Sequence, residues 1–369
     1  MILATKNKVN IRPSIYSNTL LFIGLISFTF PRLLNLQVGN GQLYFGASIL
    51  LMILPFMRLS LAPYIVAICI APSVLLGGAS SNLLTVGYYG LAMLMLLTSV
   101  QVSRQFMYGF LKVFGILTFF SIFLDFYDPS LIDAVATGER ALDSRTTLDI
   151  TRPVGFFRES SEMGMMIAIA SFLALKEGFR KLAVFLIMML FLSQSFMGLL
   201  LLPTLMTVNG FIKLRIFFSI TAVIVALYFG RFLSVSEELS VINMSDWYLS
   251  NFSSVKRIIH PFIGLQTVME NMNSITFLVG LVPGSVSILL STNFVHMPFS
   301  DLSAGYMLNA LFNIFANFGL FGLVGFLGYA WFSRISMRQF MSLIILMFCG
   351  MAFLHPAFFL MNLRVKKTL

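Results

Sequence analysis

The sequence predicts an all-α, polytopic integral membrane protein, and two observations carry that prediction. Hydrophobic residues make up 58% of the 369 and charged residues only 10%. A soluble domain of this size cannot hide so much apolar surface. The apolar residues also fall in long runs separated by short, mostly basic breaks. Membrane helices show this pattern, because Lys and Arg in short loops stay on the cytoplasmic side. The whole chain, 1–369, reads as one membrane domain of about 12 spans.

In order, the chain begins with Lys6, Lys8 and Arg12, then an apolar run over about 15–31. This run ends at Phe30-Pro31-Arg32 without a small-residue cleavage site, so the first helix should remain as an anchor. A short polar hairpin around Arg32–Gln42 follows, then runs near 43–57, 59–76, 83–100 and 106–127. A polar segment, about 128–160, separates these from runs near 161–175, 182–210 and 216–233. A second polar segment covers about 234–302, and the last runs lie near 303–332 and 340–363.

Two runs have basic residues on both flanks, 182–210 and 340–363. Both flanks then belong on one side, so each run should fold back as a hairpin. The turns are expected near Ser193-Gln194-Ser195 and His355-Pro356. The resulting legs are short against the roughly 20 residues of a full span.

The charges agree with this topology. The proposed cytoplasmic segments hold Lys6, Lys8, Arg12, Arg58, Arg104, Lys176, Arg180, Lys181, Lys213, Arg215, Arg334, Arg338, Arg364, Lys366 and Lys367, 15 of the 24 basic residues. All acids except Glu177 fall outside or at the outer rim. The net charge of +10 is therefore an orientation signal, and nucleic acid is not an expected partner. Both termini are expected in the cytoplasm.

The outer segments should be poor in basic residues, yet they hold Arg140, Arg145, Arg152, Arg158, Lys256 and Arg257. Guanidinium groups on that face call for an anion. Between Val255 and Met272 the apolar spacing predicts an amphipathic helix at the membrane face, with Pro261 near its start. Residues 276–290, broken by Gly280 and Gly284, predict a dip into the interface.

No nucleotide-binding loop and no Asp-x-Asp pair is present, and His260, His296 and His355 lack metal-ligand spacing. Neither a metal nor another cofactor is expected. Cys69 and Cys349 sit inside apolar runs and read as packing residues.

Arg152-x-x-Gly155-x-x-x-Glu159-Ser-Ser resembles the R-x-x-G-x-x-x-E-P-S signature of bacterial O-antigen and exopolysaccharide repeat-unit polymerases, the Wzy group, related to the O-antigen ligases. Ser160 stands where that signature has proline. Ser193-Gln-Ser195-Phe-Met-Gly198 is similar to the family's S-x-S-x-x-G hairpin. Arg257, followed by Gly280 and Gly284, is similar to its outer R … G-x-G-x-G segment. His296 and then Asn317-Phe-Gly319-Leu-Phe-Gly322 resemble its H(N) … E-x-G-x-x-G passage, with Asn317 in place of the acid. The likeness covers about 140–330.

The resemblance implies a lipid-sugar-transferase (GT-C-like) architecture in the bacterial inner membrane, with its active face periplasmic. The substrate would be an undecaprenyl-diphosphate-linked oligosaccharide, polymerised without metal. It implies diphosphate binding by Arg152, Arg257 and, with less support from position, Arg158. Glu159 and His296 are rival bases, and Glu162 can stabilise the start of the following helix. A chain-length regulator is a further implied partner, alongside membrane lipid. The alternatives are an O-antigen ligase acting on lipid A core and a lipid-oligosaccharide transporter without chemistry.

Overall fold

The computed structural model describes residues 15–30, 35–38, 41–44, 62–78, 100–128, 153–157, 160–224, 260–295, 310–333, 336–348 and 356–366, with single positions between them. These residues are predominantly helical. In chain order the elements are α1 (Ile15–Thr29), β1 (Asn35–Val38), β2 (Gly41–Tyr44), α2 (Ala62–Gly77), β3 (Val100–Val102), α3 (Arg104–Tyr127) and α4 (Ser160–Lys176). They continue with α5 (Arg180–Leu192), α6 (Phe196–Val208), α7 (Leu214–Ile224), α8 (His260–Glu270), α9 (Ser274–Val279) and α10 (Ser285–Asn293). The last are α11 (Ala310–Ser333), α12 (Met337–Phe348), α13 (Pro356–Met361) and β4 (Leu363–Val365).

Most boundaries follow the apolar runs. The polar hairpin is an antiparallel ribbon pairing Asn35 with Tyr44 and Val38 with Gly41. The run 182–210 is the hairpin α5–α6. Two runs need correction. Helix α11 starts at Ala310, several residues inside its run, because Asn309 Oδ1 accepts from Phe312 N at 3.1 Å and sets the helix start there. The returning leg of 340–363 is only the short α13 followed by β4, which pairs in parallel with β3. The fold is thus helical with two small ribbons. Most of the run 83–100, His355, most of 128–160 and the stretch 234–259 lie outside the described residues.

Helix α3 begins where Ser103 Oγ accepts from Phe106 N at 3.0 Å. Its buried face runs Met107, Phe110, Leu111, Phe114, Thr118, Ile122, Asp125, a three-and-four spacing that points inward. The opposite face carries Phe119, Phe120, Phe123 and Phe126, all exposed. The helix is apolar on both sides. Among the described residues, Arg104–Tyr127 and Ala310–Phe332 are long and apolar enough to cross a membrane.

Close helix approach depends on glycine. Helices α4 and α6 cross where a Cβ on Gly198 would lie 2.4 Å from the Gly164 carbonyl oxygen, and one on Gly164 would lie 2.1 Å from Ser195 Cβ. Small residues let two backbones touch in this way. The α5–α6 turn holds itself: Ser193 Oγ donates to Leu190 O at 2.7 Å, and Ser195 Oγ accepts from Gly198 N at 3.3 Å.

The basic breaks converge at one end of the bundle. The Arg104 guanidinium donates to Glu177 O at 3.1 Å and lies over the Phe179 ring at 5.2 Å. Arg338 donates to Asn209 O at 2.9 Å. Both arginines meet carbonyls just past a helix C-terminus, where helix geometry leaves acceptors free and the dipole favours cations. The β3–β4 pairing brings Gln101 beside Arg364 at the same end.

Gly198→Ala should lower the melting temperature by several degrees, since overpacking costs about 1–3 kcal/mol. Gly109→Ala on α3, where a Cβ would meet nothing within 4 Å, should be neutral or slightly stabilising. Equal melting temperatures for the two variants would contradict the α4–α6 crossing.

Candidate functional site

At the end of α3 remote from Arg104 lies Asp125, buried at 7% exposure. Twenty-one residues of helix separate Asp125 from Arg104, about 30 Å of rise. A buried carboxylate is costly unless hydrogen-bonded. Its Oδ2 accepts from the backbone N–H of Val154 and from that of Gly155, the latter at 3.0 Å. Asp125 thus holds the Val154–Gly155 backbone from a different element.

Gly155 has φ +57°, and a Cβ there would lie 2.3 Å from Ser121 Oγ. Ser121 and Asp125 are one turn apart, so one face of α3 forms the whole seat. Only glycine combines that backbone conformation with that contact. The next two residues, Phe156 and Phe157, are buried. The Phe157 ring packs 5.1 Å from Phe30, which stacks on Phe114 at 5.5 Å. The aromatic pair fastens the loop into the bundle between α1 and α3.

Just beyond, Glu162 lies in the first turn of α4, where an acid is favoured by the helix dipole. Gly164 on α4 is where the Ser193–Ser195 turn packs. The Gly155 segment and the S-x-S-x-x-G turn therefore flank the same end of α4. At the end of α3, Asp128 Oδ1 accepts from Ser130 N at 2.9 Å and Ser130 Oγ at 2.7 Å, which lowers its pKa from the ordinary aspartate value.

A second convergence joins the Gly280 and Gly319 passages. Helix α11 is interrupted at Gly319, with φ +63° and ψ −167°. A Cβ on Gly319 would lie 2.4 Å from Gly280 N, and one on Gly280 would lie 2.3 Å from Asn317 O. The break requires other partners for nearby carbonyls. Leu281 N donates to Ala316 O at 3.0 Å. Ser73 Oγ on α2 lies 2.7 Å from Asn317 O and 2.9 Å from Leu281 O, so its single proton is shared between the two. The expected dip at 276–290 is thus the helix–turn–helix pair α9–α10, whose turn reaches the middle of α11.

Helix α8 lies within the expected 255–272 stretch, with Pro261 as its second residue. It buries His260, Pro261, Gly264 and Val268 and packs on α10 and α11. Phe262 and Met269 on the same helix are exposed, and Phe262 meets the Phe312 ring edge-on at 5.1 Å.

Of the residues that the sequence nominated, Arg152, Arg158, Glu159, Arg257 and His296 lie outside the described residues. The structure gives the anchorage of their neighbours: Pro153–Phe157 and α4 for the first three, α8 and α10 for the others. Sequence reasoning missed Asp125, Ser121 and Ser73. The available signal for Asp125 was an acid in the last turn of an apolar helix, where the dipole disfavours it. Among the described residues, no group of three His, Cys, Asp or Glu side chains could hold a metal ion.

Hydrogen exchange checks the Asp125 seat. Asp125→Ala removes the acceptor for two amides, and bonds to a charged group contribute about 1.5–3 kcal/mol each. Protection at Val154 and Gly155 should fall on the order of tenfold or more, with little change at Ile167–Ala170 in the core of α4. Unchanged protection at the two amides would contradict the seat. No family model, curated protein or solved structure matches this chain.

Proposed function

We propose that this chain is a membrane glycosyltransferase that polymerises oligosaccharide repeats carried on undecaprenyl diphosphate. The observation that carries the reading is the built seat for the Arg152-x-x-Gly155 segment on Asp125 and Ser121, about 30 Å along α3 from the basic end. That separation matches the roughly 30 Å of a bilayer's hydrocarbon core. With Arg104, Arg338 and Arg364 on the cytoplasmic side, the seat faces the periplasm. The exposed Phe119, Phe120, Phe123 and Phe126 face lipid. The full topology, about 12 spans with both termini inside, is part of the same proposal.

The chemistry needs few parts. The acceptor sugar hydroxyl attacks the anomeric carbon of the donor glycan. The bond from that carbon to the diphosphate oxygen breaks, and its electron pair leaves with undecaprenyl diphosphate. Arg152 and Arg257, assisted by Arg158, neutralise the growing charge on the departing diphosphate. Glu159 or His296 takes the hydroxyl proton. Seating Gly155 by hydrogen bonds and buried rings supports the preorganisation that such electrostatic catalysis requires.

One observation favours a transporter without chemistry: the interrupted helix at Gly319 meeting the Gly280 turn, since broken helices form many transport sites. The carbonyls of Ala316 and Asn317 at that break accept from Leu281 and Ser73 within the chain. Intramolecular partners of this kind favour a structural role for the break.

Deleting the protein should leave single repeats on the carrier or on lipid core, with no long chains. Normal chain length in the deletion strain would sink the proposal. With membrane protein levels held, Arg152→Ala and Arg257→Ala should each cut polymer on the order of 100-fold or more. A general base contributes about 10²–10⁴-fold, so one of Glu159→Gln and His296→Ala should show a loss of that size. Wild-type polymer in any of these variants removes that residue from the mechanism.

A further inference from the structure

At the basic end, Lys176, Asn209, Gln339, Ser342, Asn362 and Arg364 share one small cavity of about 20 Å³, together with apolar residues of α4, α12 and α13. The space admits one or two water-sized groups. Its lining brings a lysine and an arginine together without an acidic side chain. Glu177, next to Lys176 in the chain, is the nearby acid that favours the lysine's charge, while Arg364 opposes it.

The two cations are held there by the fold. Lys176 closes the last turn of α4. Arg364 is fixed by β4, whose neighbours are bonded on both sides: Val100 N donates to Asn362 O at 3.2 Å, and Lys366 N to Val102 O at 2.9 Å. Among the described residues, neither the Lys176 ammonium nor the Arg364 guanidinium has a hydrogen-bond acceptor. Burial pushes the pKa of each below its ordinary value. Gln339 Oε1 is also buried without a partner among the described residues, but as an acceptor it gives an anion no support. By contrast, Arg104 and Arg338 at the same end each reach a backbone carbonyl.

We propose that Lys176 and Arg364 form an anion site for a phosphate group at the basic end of the bundle. One phosphate oxygen enters the cavity, and the rest is held at its mouth by the guanidinium fork and the ammonium. A phosphate could belong to an anionic lipid headgroup or be free in solution. The lipid source rests on the membrane reading given above, since basic pockets between helices on the cytoplasmic side hold such headgroups.

The test uses purified full-length protein, stripped of lipid in a neutral detergent, and thermal denaturation. Three additions are compared: phosphatidylglycerol, inorganic phosphate and diacylglycerol. Phosphatidylglycerol should raise the melting temperature on the order of 3–5 °C near saturation, and diacylglycerol should not. A rise with inorganic phosphate too identifies a free-anion site; a rise with phosphatidylglycerol alone identifies a headgroup site. Arg364→Gln and Lys176→Gln should each abolish the rise, and Arg364→Lys should retain part of it. Should either glutamine variant fold poorly, the partial response of Arg364→Lys still reads out the charge. Equal stabilisation by diacylglycerol, no response to either phosphate compound, or a wild-type response in both glutamine variants overturns the site. No glycan enters this assay, so its failure is separate from failure of the polymerase proposal.

Discussion

The carboxylate of Asp125 is the contact on which the candidate site depends. It is buried at the end of an apolar helix, where neither water nor the helix dipole helps it. It is satisfied instead by the backbone of Val154 and Gly155. The two partners need each other. The carboxylate requires donors, and the loop requires acceptors for amides drawn into an apolar bundle. The rings of Phe156 and Phe157 then fix the loop from the other side, against Phe30 and Phe114. Pro153–Phe157 is thus held from two sides, by hydrogen bonds and by buried rings.

The far end of the bundle solves a related problem with opposite charges. Helix C-termini leave carbonyls without partners. Arg104 and Arg338 fill those places after α4 and α6, and the β3–β4 ribbon ties the last strand to the start of α3. Among the described residues, Lys176 and Arg364 remain without acceptors there, and this sets their cavity apart from the other basic contacts.

Much of the scaffold was legible in the sequence because apolar periodicity and basic flanks report directly on helices and their ends. The α5–α6 hairpin could be placed from Arg180, Lys181, Lys213 and Arg215 alone. The ribbon at Asn35–Tyr44 and the breaks at Gly280 and Gly319 also coincide with polar or glycine signals. Pairings between distant segments were not legible. Nothing local to Ser73 announces its contact with Asn317, 244 positions away. The β3–β4 ribbon joins two three-residue strands too short to leave a pattern. Asp125 was hidden for a different reason: its partners among the described residues are backbone N–H groups, which every sequence supplies. Of the site itself, the nominated arginines came from a charge anomaly and a motif, and the structure adds the seats beside them.

On the proposed reading, these parts belong to an apolar bundle whose end opposite the basic contacts seats Val154 and Gly155 beside the residues assigned to a lipid-linked diphosphate. The most direct test of that account is an assay on the purified protein in detergent, given an undecaprenyl-diphosphate-linked repeat and no nucleotide or metal. The account predicts products lengthened by whole repeats, with release of undecaprenyl diphosphate, and no products from Arg152→Ala. Intact substrate after incubation with folded wild-type protein would contradict it.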